Sequence, residues 1–195
     1  MTQWGQGYGY NYYCPLVRPY NYDYYWNKFY YGTAVKAPVG CVAVAMGQVM
    51  YTYWQPYNWS FMSMFQGPTP NDLTSDVPNQ TARMLRDIGI AVNMEYDYYG
   101  SGIPVSEPNR IVNAFKNTFG YSSGGEVILY DFERVYNSMY YGYPVILLGE
   151  GSNGAHAWIA DGYKNVKIHV NEKKKFLGIT IKTKEYDIYI KIIFI

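Results

Sequence analysis

Cys41 and His156 are the two residues of this sequence that could serve as a nucleophile and its base. Cys41 follows residues 37–40 (APVG) and opens a nearly uncharged apolar run that reaches Met50, a pattern that predicts a buried helix. A thiol at the N-terminus of a helix lies at the positive end of the helix dipole, which stabilises the thiolate. Taken alone, however, a free cysteine is more often a small buried core residue.

His156 strengthens the chemical interpretation of Cys41. It is one of two histidines and lies in a strand-like run, residues 155–160, directly after a glycine-rich stretch, residues 149–154. Glycines beside a histidine leave room for both substrate and imidazole, although a hydrogen-bonded core histidine is the plain alternative. His169 lies between two apolar residues and has the weaker claim. A thiolate and an imidazole together indicate nucleophilic acyl transfer.

Asn171 could be a third member of this group. It follows Cys41 and His156 in the order and with the long spacing of a papain-type triad, in which an amide carbonyl orients the imidazole. Asparagine is also a common turn residue, and the spacing alone favours that simpler interpretation.

Composition limits the other kinds of function. The 195 residues fit one domain, and 16 lysines and arginines nearly balance 15 aspartates and glutamates, so we expect neither a nucleic-acid nor a membrane-surface partner. We expect no membrane-spanning helix, because no apolar stretch of about 18 residues is present. Two cysteines and two histidines without close ligand spacing predict no metal site, and no glycine-rich phosphate loop is present, so no cofactor is expected.

The amino-acid pattern predicts an α+β fold with helices first and strands later. We expect a tyrosine-rich extended arm over 1–37, a loop over 56–78, and helices that begin at residue 40 or 41, at 79 and after 107, with a fourth over about 132–142. The strand-like runs are 90–94, 144–149, 155–160, 179–182 and 188–192, of which the last two predict a final hairpin. The tyrosines of the arm suit half-buried walls or a surface that contacts peptide or sugar, or reflect compositional drift.

The chain resembles the streptopain-like cysteine peptidases, a papain-fold group of secreted bacterial enzymes. The resemblance covers about residues 4–171 and depends on blocks that occur in the right order. They are 4–6 (WGQ), 10–11 (YN), 14–15 (CP), 37–43 (APVGCVA), 48–50 (QVM), 85–96 (LRDIGIAVNMEY), 100–102 (GSG), 119–121 (FGY), 144–145 (PV) and 156–163 (HAWIADGY).

The resemblance implies a role for each matched residue. Cys41 would be the nucleophile and His156 the base. Gln6 would donate its side-chain amide to an oxyanion hole beside the Cys41 N–H, where a tetrahedral intermediate is stabilised. Asn171 would orient His156. The implied fold has two lobes, here a helix-rich lobe over about 38–142 and a sheet lobe over about 143–195.

The resemblance also implies location and partners. Family members are secreted and are made as zymogens, so polypeptide substrates and an N-terminal pro-segment or inhibitor protein are the expected partners. The first residues lack the features of a signal peptide. We therefore expect either an intracellular protein or a mature portion without its targeting segment, and this chain begins where a mature enzyme would.

The sequence departs from the family after Asn171. A tryptophan and a glycine-rich run are expected there, but Glu172 and three lysines follow instead. Most lysines of the chain lie after Gly162, where the composition shifts. We therefore hypothesise that residues 172–195 form an atypical tail, frameshifted or truncated, that leaves the sheet lobe incomplete.

These observations predict a cysteine endopeptidase that acts through an acyl-enzyme on Cys41. The alternative from another class is a catalytically inactive papain-fold remnant that binds peptide or glycan through its tyrosine-rich arm. An acyl transferase or amidase would use the same cysteine and histidine.

Overall fold

The computed structural model of the chain describes residues 4–7, 9–53, 77–122, 125–152, 154–160, 162–176 and 179–194, with the backbone alone for 77–79 and 162–194. The described helices are α1 (Cys41–Tyr53), α2 (Val77–Ala91), α3 (Asn109–Asn113), which continues as a π-helical turn over Ala114–Thr118, and α4 (Phe132–Tyr140). The strands are β1 (Leu16–Val17), β2 (Tyr20–Asp23), β3 (Lys28–Tyr31), β4 (Val35–Lys36), β5 (Val145–Gly151), β6 (Gly154–Ala160), β7 (Gly162–Phe176) and β8 (Ile179–Phe194).

Alongside the helices, the described strands form four two-stranded sheets: β1 with β4, β2 with β3, β5 with β6, and β7 with β8. This combination confirms the predicted α+β class. The four predicted helices are all present, and α1 begins at Cys41 as expected. The predicted loop over 56–78 lies almost entirely outside the described residues, apart from the first turn of α2.

Helix α1 forms the centre of the main core. It is apolar on nearly every side, as expected for a helix that is surrounded by other elements, and Met46 and Met50 are fully buried in it. Gly47 lets α2 approach closely, since a Cβ there would lie 3.0 Å from both Leu85 and Trp4. The position of Cys41 is therefore set by a helix with seven buried residues.

The N-terminal segment differs from the predicted extended arm. Strands β1 and β4, and strands β2 and β3, form short antiparallel pairs. Trp4, Tyr10 and Cys14 are buried in the main core. The aromatic side chains explain the difference, because they pack across the strands, as Tyr22 does against Phe29, and such cross-strand pairs stabilise a hairpin.

The strand predicted over 90–94 is wrong. Ile90 and Ala91 are the last residues of α2, and the chain then turns through Asn93, whose φ is +51°. Leu85, Ile88 and Val92 are all completely buried, and their spacing of three and four residues is that of one helix face. The apolar run is thus the end of a helix and the turn that follows it.

The chain divides into two compact units. One contains Met1–Tyr130 and Ile146–Ile159, and the other contains Asp131–Val145 and Ala160–Ile195. Cys41, His156 and Gln6 belong to the first unit, and Asn171 belongs to the second. The two lobes over 38–142 and 143–195 stay a prediction.

The tail is correctly predicted as β-structure. The predicted hairpin, in which residues 179–182 would pair with residues 188–192, is wrong. Both runs belong to the single strand β8, which pairs antiparallel with β7. No proline or glycine interrupts residues 179–194, and alternating isoleucine and polar residues favour one continuous strand. Among the described helices, none is long and apolar enough to cross a membrane.

Candidate active site

Cys41 is the first residue of α1, and its thiol is partly buried. The first hydrogen bond of the helix joins the Val44 N–H to the Gly40 carbonyl at 3.2 Å. The N–H groups of Cys41 and the next two residues therefore precede the helical ladder. No acidic residue lies in the first turn of α1, so no carboxylate there offsets the positive end of the helix dipole.

Gly40 gives the chain the backbone conformation that this helix start requires. Its φ is +88°, a region that side-chain-bearing residues rarely adopt. A Cβ at this position would lie 2.8 Å from the Ser101 carbonyl oxygen and 2.9 Å from the Met94 sulfur. Neither the backbone conformation nor the surrounding space therefore accommodates another residue directly before Cys41.

The loop that contacts Gly40 is held by backbone bonds and by one arginine. Glu95 and Gly102 exchange two backbone hydrogen bonds, of 2.8 and 3.1 Å. The Arg110 guanidinium donates to the Asn93 carbonyl at 2.8 Å and to the Glu107 carboxylate at 2.6 Å. These contacts fix the loop against Gly40 and thereby support the start of α1.

We predict that Gly40→Ala lowers the free energy of unfolding by about 1–3 kcal/mol, because alanine would be strained at this φ and would clash with Ser101. Denaturant unfolding measures the change. Gly100→Ala is the matched control, since a Cβ there meets nothing within 4 Å, and we expect it to change stability by less than about 0.5 kcal/mol. Equal effects of the two substitutions would contradict this description of the loop.

Strand β6 brings the peptide that follows His156 against the thiol of Cys41. The Ala157 N–H donates to the Cys41 sulfur at 3.3 Å, a contact between residues far apart in sequence. His156 therefore lies next in sequence to a residue in direct contact with the candidate nucleophile.

The two faces of β6 have different surroundings. Ala157 and Ile159 are buried in the main core, whereas the His156 side chain is exposed. Successive side chains of a strand point to opposite faces, so His156 and Trp158 share one face. Their rings lie nearly parallel, 22° apart, with centroids separated by 6.0 Å. The exposed imidazole is thus reachable from solvent beside an aromatic ring.

Gln6 lies close to the residues that precede Cys41. Its backbone carbonyl accepts a hydrogen bond of 2.9 Å from the Val39 N–H, two residues before Cys41. Its neighbour Gly5 packs on the ring of Tyr10, because a Cβ at Gly5 would lie 3.4 Å from that ring. Burial raises the pKa of Tyr10 to about 12. Tyr10 lies in a matched block of the sequence, but only the structure indicates that it holds the Gln6 segment.

Asn171 and His169 lie on β7, where their backbones are opposite Glu185 and Asp187 of β8. The side chains of this strand are not among those described, so the predicted role of Asn171 stays a prediction. Among the described residues, no group of three or more histidine, cysteine, aspartate or glutamate side chains is placed to hold a metal ion.

Cys14 differs from Cys41 in its surroundings. Both cysteines are free, so no disulfide joins them. Cys14 is only 1% exposed, and burial raises the pKa of its thiol to about 11. A thiol with such a pKa stays protonated near neutral pH, and only the thiolate is a strong nucleophile. Of the two cysteines, Cys41 is therefore the one suited to covalent chemistry.

Known proteins similar to this chain include two cysteine proteases. The thiol protease/hemagglutinin PrtT of Porphyromonas gingivalis is 24% identical over 197 aligned positions, which cover 83% of this chain and 20% of that protein. The chain thus spans about one fifth of the length of this relative. The active wild-type interpain A cysteine protease of Prevotella intermedia superposes with a TM-score of 0.59 at 20% identity, over 82% of this chain and 74% of interpain A. That similarity shows a common fold.

The family comparison covers the middle and later part of the chain. Residues 52–174 match the Peptidase C10 family, a range that includes His156 and Asn171 and begins after Cys41. Since this range is more than half of the sequence, the chain belongs to the Peptidase C10 family.

Proposed function

We propose that this protein is a cysteine endopeptidase in which Cys41 is the nucleophile and His156 the general acid and base. The observation that carries the proposal is the 3.3 Å contact between the Ala157 N–H and the Cys41 sulfur. It joins the first residue of α1 to the strand of the candidate base, within a chain that belongs to a peptidase family.

The proposed reaction has two stages. His156 accepts the proton of the Cys41 thiol, the resulting thiolate attacks the peptide carbonyl carbon, and the carbonyl oxygen becomes an oxyanion. His156 then protonates the leaving amine as the C–N bond breaks, which leaves a thioester on Cys41. A water molecule that gives its proton to His156 attacks the thioester, and release of the carboxylic acid restores the thiol.

Gln6 and the Cys41 N–H are the proposed donors to the oxyanion. The Gln6 segment is bonded to Val39, and the Cys41 N–H lies at the free end of α1, so both belong to one neighbourhood. Asn171 is proposed to orient His156, as the streptopain-like resemblance implies. The same resemblance supports a secreted enzyme made as a zymogen, with polypeptides as substrates and a pro-segment or inhibitor as partner.

We predict that Gln6→Ala lowers kcat by about 10²–10³-fold, the usual cost of removing one oxyanion donor. The assay is hydrolysis of an unfolded protein substrate in the presence of a reducing agent. Gln6→Glu is the matched variant, because it keeps the side-chain length and the backbone bond from Val39 but removes the amide donor. If Gln6→Glu retained full kcat, Gln6 would not be an oxyanion donor.

The same assay also distinguishes hydrolysis of the acyl-enzyme from transfer of its acyl group to another amine. With an added amine nucleophile, an endopeptidase releases mainly free carboxylic acid, whereas an acyl transferase releases mainly the new amide. Full activity after alkylation of the protein by iodoacetamide would contradict thiol catalysis of either kind.

A second candidate function has its own support in the β2–β3 hairpin. Three aromatic residues at its turn are widely exposed: Tyr24 by 88%, Tyr25 by 84% and Trp26 by 69%. Exposed aromatic rings bind peptides and sugars well, so a catalytically inactive remnant would use this hairpin to bind them. Peptide binding that never leads to an acyl-enzyme on Cys41 would favour this second function.

A further inference from the structure

Trp158 is placed to control the orientation of the His156 ring. The two residues occupy the same face of β6, and their rings are nearly parallel with centroids 6.0 Å apart, which is within the range for offset aromatic stacking. His156 itself is exposed. An exposed imidazole without a neighbouring surface would turn between its rotamers, so a flat ring beside it limits the orientations it can adopt.

The indole of Trp158 packs against the neighbouring strand, β5. Gly149 of β5 lies under it, since a Cβ at that position would be 2.7 Å from Cη2 and 3.3 Å from Cζ3 of Trp158. A glycine at 149 thus provides the space that the indole occupies. Any side chain there would push the indole out of its place beside His156.

Within the described residues, contacts of the ring hold Trp158 in this place. Its indole N–H is buried and makes no hydrogen bond within the described part of the chain. Burial of an unpaired donor costs free energy, so the flat apolar surface is the property of tryptophan that this position uses. Phenylalanine would keep a flat apolar surface. Leucine is close to phenylalanine in volume but has no flat ring.

We infer that Trp158 is a positioning residue that holds the His156 imidazole in its catalytic orientation, with Gly149 as its support. This inference rests on the proposed function. It assigns to Trp158 part of the orienting role that the family resemblance gives to Asn171 alone.

The first test compares Trp158→Leu with Trp158→Phe. We expect Trp158→Leu to lower kcat by roughly 10- to 100-fold, the cost of a misplaced catalytic group, with KM nearly unchanged. Trp158→Phe should restore most of kcat. Equal kcat in the two variants, or a change in KM alone, would overturn the inference, because either result would make Trp158 a packing residue or part of the substrate-binding surface.

The second test displaces the indole without changing it. Gly149→Ala should lower kcat in the wild-type background and have little further effect in the Trp158→Leu background, because leucine leaves no ring to displace. Such non-additivity is expected of two residues that act through one contact. Additive losses would overturn the assigned support by Gly149.

A spectroscopic test does not depend on activity. The chain has two histidines, so the ring protons of His156 are identified in NMR spectra by comparison with His156→Ala. We expect the Trp158 ring current to shift them away from their usual positions, and Trp158→Leu to remove that shift. An unshifted His156 in the wild type would overturn the inference, whereas a shifted His156 in a protein without hydrolytic activity would contradict the proposed function alone.

Discussion

Cys41→Ala is expected to abolish peptide hydrolysis, with a loss in kcat on the order of 10⁶-fold, as found when the nucleophile of an acyl-enzyme hydrolase is removed. Alanine keeps the small apolar volume at the start of α1, so the helix and its packing should be preserved. The loss would therefore report the missing sulfur. Hydrolysis of a fluorogenic peptide under reducing conditions, with thermal unfolding measured alongside, provides the two readings.

Cys14→Ala is the matched control, because it removes the other thiol of the chain from a buried site. The high pKa of Cys14 keeps its thiol protonated, so we expect activity within about twofold of the wild type once a small loss of stability is allowed for. If Cys14→Ala removed activity and Cys41→Ala did not, the assignment of the nucleophile would be wrong.

His156→Ala is expected to lower kcat by about 10²–10⁴-fold, the contribution of a positioned general acid and base. The thiol would remain, but no base would accept its proton. No acid would then donate a proton to the leaving amine. The side chain is exposed, so its removal should leave the core packing of β6, formed by Ala157 and Ile159, unchanged. Steady-state kinetics and an unfolding curve of the same variant measure both effects.

Two comparisons make the His156 prediction specific. His169→Ala removes the other histidine and should have a far smaller effect. The double variant Cys41→Ala with His156→Ala should be no less active than Cys41→Ala alone. The effects of residues that act as a unit in catalysis are not additive. If His169→Ala lost all activity and His156→Ala remained active, His169 on β7 would be the base instead.

The elements that carry Cys41 and His156 could be predicted from the sequence. Cys41 begins a helix and His156 lies in a strand, as their flanking residues indicate, because local propensity and apolar periodicity are properties of short segments. The contact between Ala157 and Cys41 could not be predicted from such local patterns. It joins segments over a hundred residues apart, and only the family resemblance suggested that they meet.

The supporting residues were missed for the same reason. The space around Gly40 is filled by Met94 and Ser101, and the space beside Gly149 is filled by Trp158. Each of these contacts is tertiary, so no local pattern predicts it. A glycine directly before the candidate nucleophile, and a glycine before the histidine strand, were the signals that could have suggested close packing at both places.

The errors in fold prediction also have physical causes. The run 90–94 has the composition of a strand, but its buried residues continue the helical spacing of α2. The aromatic arm has the turn-rich composition of a loop, but its rings pair across short strands. In both cases the packing partners decided the structure, and local composition did not.

The pairing of Cys41 with His156 is tested most directly by covalent capture. The wild type and His156→Ala are incubated with a peptide that carries a thiol-reactive electrophile, and intact-mass measurement and peptide mapping follow the adduct over time. We predict a single adduct on Cys41 that forms many times faster in the wild type than in His156→Ala. An adduct confined to Cys14, or equal rates at Cys41 in both proteins, would contradict the proposed catalytic pair.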